Sequence, residues 1–135
     1  MHHPENDRHY LNAKADVNKS GHDGWTPLTV ACMINNPKIV QLLLDWKADG
    51  DKPATYGQTP LYIACFNKHQ KIVRKLLYAG VDVHKANMDG WIPLYIACYN
   101  RLPKTVRLLL DAGAVVGKAD VEGYTPLSVA REMKH

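Results

Sequence analysis

The stretch DGWIPLYIACYN, residues 89–100, decides the fold because the chain contains it in nearly the same form four times. The other copies are DGWTPLTVACMI from Asp23, YGQTPLYIACFN from Tyr56 and EGYTPLSVAREM from Glu122. The proline of the phrase recurs every 33 residues, at Pro27, Pro60, Pro93 and Pro126. A fixed period of this length indicates one structural unit that is repeated along the chain.

Each unit has the pattern of two short helices and a turn. In the copy that begins at Tyr56, Thr59 supplies a capping oxygen and Pro60 occupies the first helical position, where its missing N–H is not needed. The second helix carries an apolar stripe, which consists of Ile72, Val73, Leu76 and Leu77. Gly80 ends this helix, and the Asp89-Gly90 pair further on marks a tight turn. Neither helix can bury its apolar side alone, so the units must stack on one another.

The composition suits one globular domain or a short repeat array. Of 135 residues, 46% are hydrophobic and 22% are charged. The longest apolar runs fall well short of the ~20 residues that span a bilayer, and the first twenty residues contain no apolar secretory core. Cys32, Cys65 and Cys98 lie at equivalent places on helices that pack ~8–10 Å apart, too far for a disulfide. We therefore expect reduced cysteines and an intracellular location, cytoplasmic or nuclear.

Three further features accompany the repeated phrase. A T-P-L motif is present at residues 26–28, 59–61 and 125–127, with the variant Ile92-Pro93-Leu94. Small residues follow it as Ala31-Cys32, Ala64-Cys65 and Ala97-Cys98. Each unit then closes with a segment such as Gly80-Val81-Asp82-Val83-His84. In these features, over almost its whole length, the chain resembles ankyrin repeat proteins.

The resemblance implies an all-α fold. We expect an ankyrin repeat solenoid of stacked helix-turn-helix units with projecting β-turn or hairpin loops. The chain would form a single domain, 1–135. It would consist of an N-terminal half repeat at 1–20, whole repeats at 21–53, 54–86 and 87–119, and a C-terminal half repeat at 120–135.

The chain departs from the repeat pattern at a few positions. Ile92 lacks the capping hydroxyl of its counterparts, which costs about 1 kcal/mol. Lys47 stands where Gly80 and Gly113 stand in the next units, and a side chain in a left-handed turn is penalised by roughly 1–2 kcal/mol. Gly50 and the proline at residue 53 also break the pattern, so we expect residues 49–55 to be the least regular connection.

No residue pattern predicts catalysis, a cofactor or a metal. The seven histidines are scattered, and no pair has the i, i+4 spacing with a glutamate that builds a zinc hydrolase site. A glycine-rich phosphate loop is missing, and residues 49–51 lack the spaced acidic ligands of a calcium loop. Ser20 and Ser128 have no sequence context typical of a nucleophile. We expect a protein without enzymatic activity.

In ankyrin proteins the turn tips and the exposed side of the first helices form a concave face that binds partners, and the resemblance implies this surface here. The matching positions carry many aromatic and sulfur side chains, of the kinds that are frequent among binding hot spots. The predicted partner-binding residues are His22, Asp23, Trp25, Met33, Tyr56, Gln58, Phe66, Met88, Asp89, Trp91, Tyr99 and Tyr124. We expect Trp25, Tyr56, Trp91 and Tyr99 to be the main anchors, with Tyr62 and Tyr95 nearby.

The tryptophans have a second interpretation. Trp25 and Trp91 would then pack over neighbouring turns and hold the stack together instead of contacting a partner. For the row of aromatic side chains as a whole, partner binding is the preferred interpretation.

The preferred function is therefore a non-enzymatic protein interaction module that binds a folded protein or an extended peptide on its concave face. The alternative is an engineered or excised ankyrin scaffold with no dedicated partner. Drift at framework positions such as Lys47, Gly50, Ile92 and Thr105 favours natural descent. The oligomeric state also stays open, because an aromatic groove can be filled by a second copy of the chain.

Basic residues are predicted to lie on the opposite, convex side. They share equivalent positions in the second helices and are Lys38, Lys71, Lys104, Arg74 and Arg107. With a net charge of +4, such a stripe permits an acidic partner without requiring one. Aromatic residues for base stacking are not interleaved with it, so the pattern favours a solvated face over nucleic-acid binding.

Overall fold

A computed structural model describes residues 16–21 and 23–132 of the chain. This part contains seven α-helices, which are α1 (Pro27–Met33), α2 (Pro37–Asp45), α3 (Pro60–Phe66), α4 (Gln70–Tyr78), α5 (Pro93–Tyr99), α6 (Pro103–Asp111) and α7 (Pro126–Glu132). No β-strand occurs among these residues. The prediction of an all-α repeat fold is confirmed.

The first helix of each unit begins at the proline of the repeated phrase, and a threonine precedes this proline in three of the four units. The Thr26 hydroxyl accepts a hydrogen bond from the Thr29 backbone N–H at 3.1 Å, and the Thr29 hydroxyl accepts one from the Thr26 N–H at 2.8 Å. Thr59 accepts from the Tyr62 N–H in the same way. Ile92 precedes α5 without a side-chain cap, as the sequence predicts, so this helix begins without a bond worth about 1 kcal/mol.

The second helix of each whole unit ends in a left-handed residue. Gly80 and Gly113 have φ angles of 83° and 98°, and Lys47 has a φ of 66° at the equivalent place. The predicted strain at Lys47 is thus present. The departure from the repeat pattern at Gly50 has a steric reason, because a Cβ at this residue would lie 2.6 Å from Cγ1 of Val81.

The helices form two rows. The inner helices α1, α3, α5 and α7 pack against one another in chain order, and the outer helices α2, α4 and α6 do the same behind them. Contacts between neighbouring inner helices are more extensive than those between neighbouring outer helices. The core lies between the rows, where Leu28, Leu61 and Leu94 are fully buried at equivalent positions. Each unit therefore completes its core with side chains of its neighbours.

A turn that we name a finger precedes each inner helix. The finger closes through one backbone hydrogen bond, which joins Gly21 N to Trp25 O, Ala54 N to Gln58 O, Asn87 N to Trp91 O and Asp120 N to Tyr124 O over 2.7 to 3.0 Å. Consecutive fingers are also joined, since the Met88 N–H donates to Tyr56 O and the Val121 N–H to Asp89 O. The Thr55 hydroxyl donates to Asp23 O between the first two fingers. The fingers thus form a continuous, hydrogen-bonded edge of the stack.

The least regular finger is the second, near the predicted segment. A short 3₁₀ turn spans Thr55–Gly57, and Tyr56 within it has a φ of 63°. The segment predicted from Gly50 and the proline at residue 53 ends at Thr55, so the strained residue lies one position beyond it. A non-glycine side chain at such a φ indicates stored backbone strain.

A second set of hydrogen bonds connects the units at the base of the fingers. Asn18 Oδ1 accepts the backbone N–H of Asp49 at 2.6 Å. Asp51 Oδ1 accepts from the next equivalent N–H, that of Asp82, at 2.8 Å. His84 Nε2 accepts from Val115 at 3.2 Å. Three different side chains at one register therefore satisfy the same backbone donor in successive units.

Candidate functional site

The finger tips and the exposed sides of the inner helices form one surface, which we name the inner face. Of the residues predicted to lie there, those with exposed side chains are Asp23, Met33, Tyr56, Phe66, Met88, Asp89, Tyr99 and Tyr124. Trp25, Gln58 and Trp91 are half-buried. His22 lies outside the described residues. The exposed members come from three inner helices and all four fingers, so the surface extends across the described stack.

Tyr56, Phe66, Met88 and Tyr99 are the most open of the large apolar side chains that were predicted for this surface. Tyr56 and Met88 are 69% and 71% exposed, and Phe66 and Tyr99 are about half exposed. Tyr56 belongs to the second finger and Met88 to the third, whereas Phe66 and Tyr99 are the last residues of α3 and α5. Large apolar side chains in such number along one face are typical of an interaction surface.

Trp91 is fixed by its neighbours. Its ring stacks on Tyr95 with a centroid distance of 5.1 Å and an interplanar angle of 16°. The indole Nε1 donates to Asp120 Oδ2 at 3.1 Å, and the backbone N–H donates to Asn87 Oδ1 at 3.0 Å. Trp91 therefore connects the third finger to the fourth, and it is half-buried.

Asp120 is a positioning residue that the sequence did not single out. Its Oδ1 accepts the backbone N–H groups of Glu122 and Tyr124 at 2.9 and 2.8 Å, while Oδ2 holds the Trp91 indole. It occupies the register of Asn87, which uses Oδ1 in the same way in the third finger. The signal was available, because Asn and Asp at the start of a turn commonly accept from backbone N–H groups two residues on.

Tyr62 and Tyr95, expected beside the row, are buried instead. Tyr62 is 2% exposed and stacks on Phe66 with ring centroids 6.2 Å apart. Burial raises the pKa of the Tyr62 phenol to about 12, with a further contribution from the Asp89 carboxylate. Burial also raises the pKa of Tyr95, and the Asp120 carboxylate adds to it. Tyr62 thus packs against the exposed Phe66, and Tyr95 packs against the half-buried Trp91.

A small cleft opens on the inner face between α1 and α3. Its volume is about 240 Å³, and its lining consists of Met33, Gln58, Tyr62, Ile63, Phe66 and Asn67. Asn67 Nδ2 donates to Ile63 O at 2.9 Å and lies 3.7 Å from Sδ of Met33. These contacts hold the wall of the cleft in place. A partner side chain that contacts Phe66 would therefore have a cleft of defined shape beside it.

Charge is divided between the two sides of the stack. Asp23, Asp89 and Glu122 are exposed at equivalent finger positions. The basic residues predicted for the opposite side are also exposed and lie on the outer helices: Lys38, Lys71, Arg74, Lys104 and Arg107. The inner face therefore combines aromatic rings with negative charge, and the outer face is positive.

The cysteines are poorly suited to act as nucleophiles. Burial raises the pKa of Cys32 to about 12 and that of Cys65 further still, and it also raises the pKa of Cys98. Residues 16–21 and 23–132 contain no group of three His, Cys, Asp or Glu side chains that could hold a metal ion. None of the helices in the described part is long and apolar enough to cross a membrane.

Comparison with known families gives a consistent result over most of the chain. A family model for ankyrin repeats in three copies matches residues 7–87, and a model for a single ankyrin repeat matches residues 89–121. A comparison with curated proteins gave no match. Ankyrin repeats are generally protein interaction modules and typically have no enzymatic activity. From the repeated motif, the stacked helix pairs and both family matches, the chain belongs to the ankyrin repeat family.

Proposed function

We propose that this chain is a non-enzymatic interaction module that binds one partner protein or peptide on its concave face, which corresponds to the inner face. The observation that carries the proposal is the row of exposed side chains Tyr56, Phe66, Met88 and Tyr99, drawn from two fingers and two inner helices. No described part of the chain covers them. Aromatic rings of this kind bring large contact area with few rotatable bonds, so little entropy is lost when they bind.

The support beneath these rings strengthens the proposal. Phe66 stacks on the buried Tyr62, and the backbone of Tyr56 is bonded to that of Met88 in the next finger. A partner would therefore meet the ring of Phe66 on a packed base and the side chains of Tyr56 and Met88 on a hydrogen-bonded backbone, which lowers the cost of ordering on binding. The free cysteines Cys32 and Cys65, buried in the stack, suit an intracellular setting, which we include in the proposal.

The experiment compares matched surface variants. The tagged chain would be expressed in its own cells, proteins that co-purify with it would be identified, and each would be titrated by calorimetry. The test variant combines Tyr56→Ser with Phe66→Ser on the inner face. The control is Tyr78→Ser at the end of α4, because Tyr78 is 97% exposed and lies on the outer row.

We expect a saturable partner that binds the wild type and the Tyr78→Ser control equally. The inner-face variant should lose about 2 kcal/mol or more of binding free energy, roughly a 30-fold weaker Kd. Equal losses in both variants would contradict the inner-face site, and no saturable partner at all would support a passive scaffold. Steep weakening with salt together with sensitivity to Arg74→Ala and Arg107→Ala would move the site to the outer face.

A further inference from the structure

The fingers share one register at their tips, and three of the four residues at this register are acidic. They are Asp23, Tyr56, Asp89 and Glu122, and successive members are 33 positions apart. All four side chains are exposed. The ring of Tyr56 therefore lies at the tip of the second finger, and the first and third fingers on either side of it carry a carboxylate at the same place.

Hydrogen bonds fix the backbone of the second finger against both of these neighbours. The Thr55 hydroxyl donates to Asp23 O. The Met88 N–H donates to Tyr56 O at 2.9 Å, and Asp89 is the next residue along the chain. The tyrosine and the two acidic residues that flank it thus belong to one connected backbone, which leaves their side chains exposed to a partner.

The carboxylates of the fingers also act on the two buried tyrosines of the inner face. Burial is the main cause of the raised pKa of Tyr62, and the Asp89 carboxylate is the next. Burial likewise raises the pKa of Tyr95 most, followed by the carboxylates of Asp120 and Glu122. The charges that act most strongly on both phenols are therefore negative, so this part of the inner face favours a positively charged group.

Two positive side chains lie at the opposite side of the inner face. Lys68 and Arg101 are exposed and follow Phe66 and Tyr99 by two residues, beyond the ends of α3 and α5 that point away from the fingers. Each of these helices has seven residues, so about 10 Å separates the two cations from the fingers. The negative charge of the inner face is thus concentrated on the finger side.

A row of lysines lies at the base of the fingers. Its members occupy one register and are Lys19, Lys52, Lys85 and Lys118. Lys52 Nζ donates to Asn18 O at 2.7 Å, so its charge lies at the base and not at the tip. The chain as a whole has a net charge of +4, which repels a cation at long range. A cation that binds the inner face therefore has to be attracted by the local arrangement of its carboxylates.

We propose that the finger side of the inner face binds a basic segment of the partner protein. An arginine or lysine of this segment lies on the ring of Tyr56, between the fingers that carry Asp23 and Asp89, and an apolar side chain next to it enters the cleft beside Phe66. A cation is attracted to the face of an aromatic ring, and flanking carboxylates add to this attraction. The same carboxylates repel an acidic segment or a nucleic acid. This proposal rests on the proposed function, because it names the chemistry of the partner that the same face binds.

Three labelled peptides that differ only in charge serve as probes. The first repeats Gly-Arg-Leu-Ser four times, so that it offers both cations and apolar side chains. The second has citrulline at each arginine, which keeps the shape and removes the charge. The third has glutamate at these positions. Binding to the full chain is measured by fluorescence anisotropy at low salt, where the screening of surface charges is weakest.

Two protein variants separate the position of a charge from its amount. The test variant combines Asp23→Asn with Asp89→Asn. The control combines Asp45→Asn with Asp111→Asn, which change exposed residues of the outer helices α2 and α6. The members of each pair are two repeats apart, and both variants have the same net charge. Any difference between the two variants therefore reports the position of the carboxylates.

We expect the arginine peptide to bind the wild-type chain about tenfold or more tightly than the citrulline peptide, and the glutamate peptide to bind least. The test variant should weaken binding of the arginine peptide by about tenfold, and the control by less than about twofold. Tyr56→Ser should weaken it by about threefold, because the ring is lost. Circular dichroism verifies that every variant is folded.

The proposal is wrong if the arginine peptide does not bind, or if the citrulline or glutamate peptide binds equally well. It is also wrong if the two charge variants weaken the arginine peptide equally, or if Tyr56→Ser leaves its Kd unchanged. None of these results decides the proposed function, which depends on how the co-purified partner responds to Tyr56→Ser with Phe66→Ser. A partner that needs the inner face but ignores Asp23→Asn with Asp89→Asn would support the proposed function and overturn the basic segment.

Discussion

Tyr56 and Trp91 lie in fingers that close with the same backbone hydrogen bond, but their rings have different surroundings. Trp91 stacks on Tyr95, bonds to Asp120 and is half-buried. Tyr56 has a strained backbone conformation, with a positive φ, and is 69% exposed. Aromatic residues of neighbouring fingers can thus have different roles, because the role depends on what the next finger offers. The Asp120 carboxylate lies beside the third finger and accepts a hydrogen bond from Trp91, so the ring of Trp91 packs within the stack.

The largest difference is expected from removing the two rings separately. Trp91→Ala should lower the free energy of unfolding by about 3 kcal/mol, because it removes a packed ring, its stacking on Tyr95 and a hydrogen bond to Asp120. Tyr56→Ala should change it by less than about 0.5 kcal/mol, as exposed substitutions usually do. Urea denaturation measures both. Equal losses would contradict the different roles of the two rings.

The next effect concerns the acceptor that holds Trp91. Asp120→Ala leaves the Trp91 indole and the N–H groups of Glu122 and Tyr124 without their acceptor, which should cost about 2 kcal/mol. The control is Asp89→Ala, an exposed carboxylate of the third finger that should change stability by less than about 0.5 kcal/mol. Thermal unfolding of both variants decides the matter. If Asp120→Ala left the stability unchanged, stacking on Tyr95 alone would be sufficient to fix Trp91.

A third effect appears at alkaline pH. The pKa of Tyr62 is about 12 in the folded chain and 10.0 for an unperturbed tyrosine, so the unfolded state loses its proton first as the pH rises. The contribution is present in full below pH 10. Above pH 10 stability should fall by up to about 1.4 kcal/mol per pH unit for this group, until about pH 12. Tyr62→Phe should remove that part of the slope. The exposed control Tyr78→Phe should leave it unchanged, and identical slopes in all three proteins would refute the expectation.

The smallest effect tests the strain in the second finger. Asparagine tolerates a positive φ better than other non-glycine residues, so Tyr56→Asn should raise stability by about 0.5 kcal/mol while it weakens partner binding. Tyr124→Asn in the fourth finger replaces an exposed tyrosine whose φ is not positive, so it should bring no such gain. Chemical denaturation is the measurement for both. A gain in both variants would show that asparagine, and not relieved strain, is responsible.

The fold could be predicted from the sequence because the same phrase recurs at a fixed interval of 33 residues. The Thr-Pro starts, the uncapped Ile92 and the left-handed Lys47 are local features, and each depends on a few adjacent residues. A cap or a turn forms from its own segment, so register and residue type suffice to place it.

Contacts between units were harder to predict. The burial of Tyr62 and Tyr95 depends on how closely the next inner helix approaches, and the part played by Asp120 depends on an indole 29 residues away. Periodicity gives the side of a helix on which a residue lies, but it does not give the side chain that covers it. For the same reason the partial exposure of Val106 does not follow from its local pattern, since Val40 and Val73 have the same pattern and are buried. Which of the exposed inner-face residues contact a partner stays a prediction.

The bonds at the base of the fingers have a consequence for how this protein can change over time. Asn18, Asp51 and His84 have little in common except an atom with a lone pair in the right place, and each satisfies the same kind of backbone donor. This register therefore requires an acceptor atom at one place, and within this chain three residue types supply it. Mutational drift can proceed there while the joint between successive units persists. A column of a repeat alignment that looks random can in this way conceal a strict structural requirement.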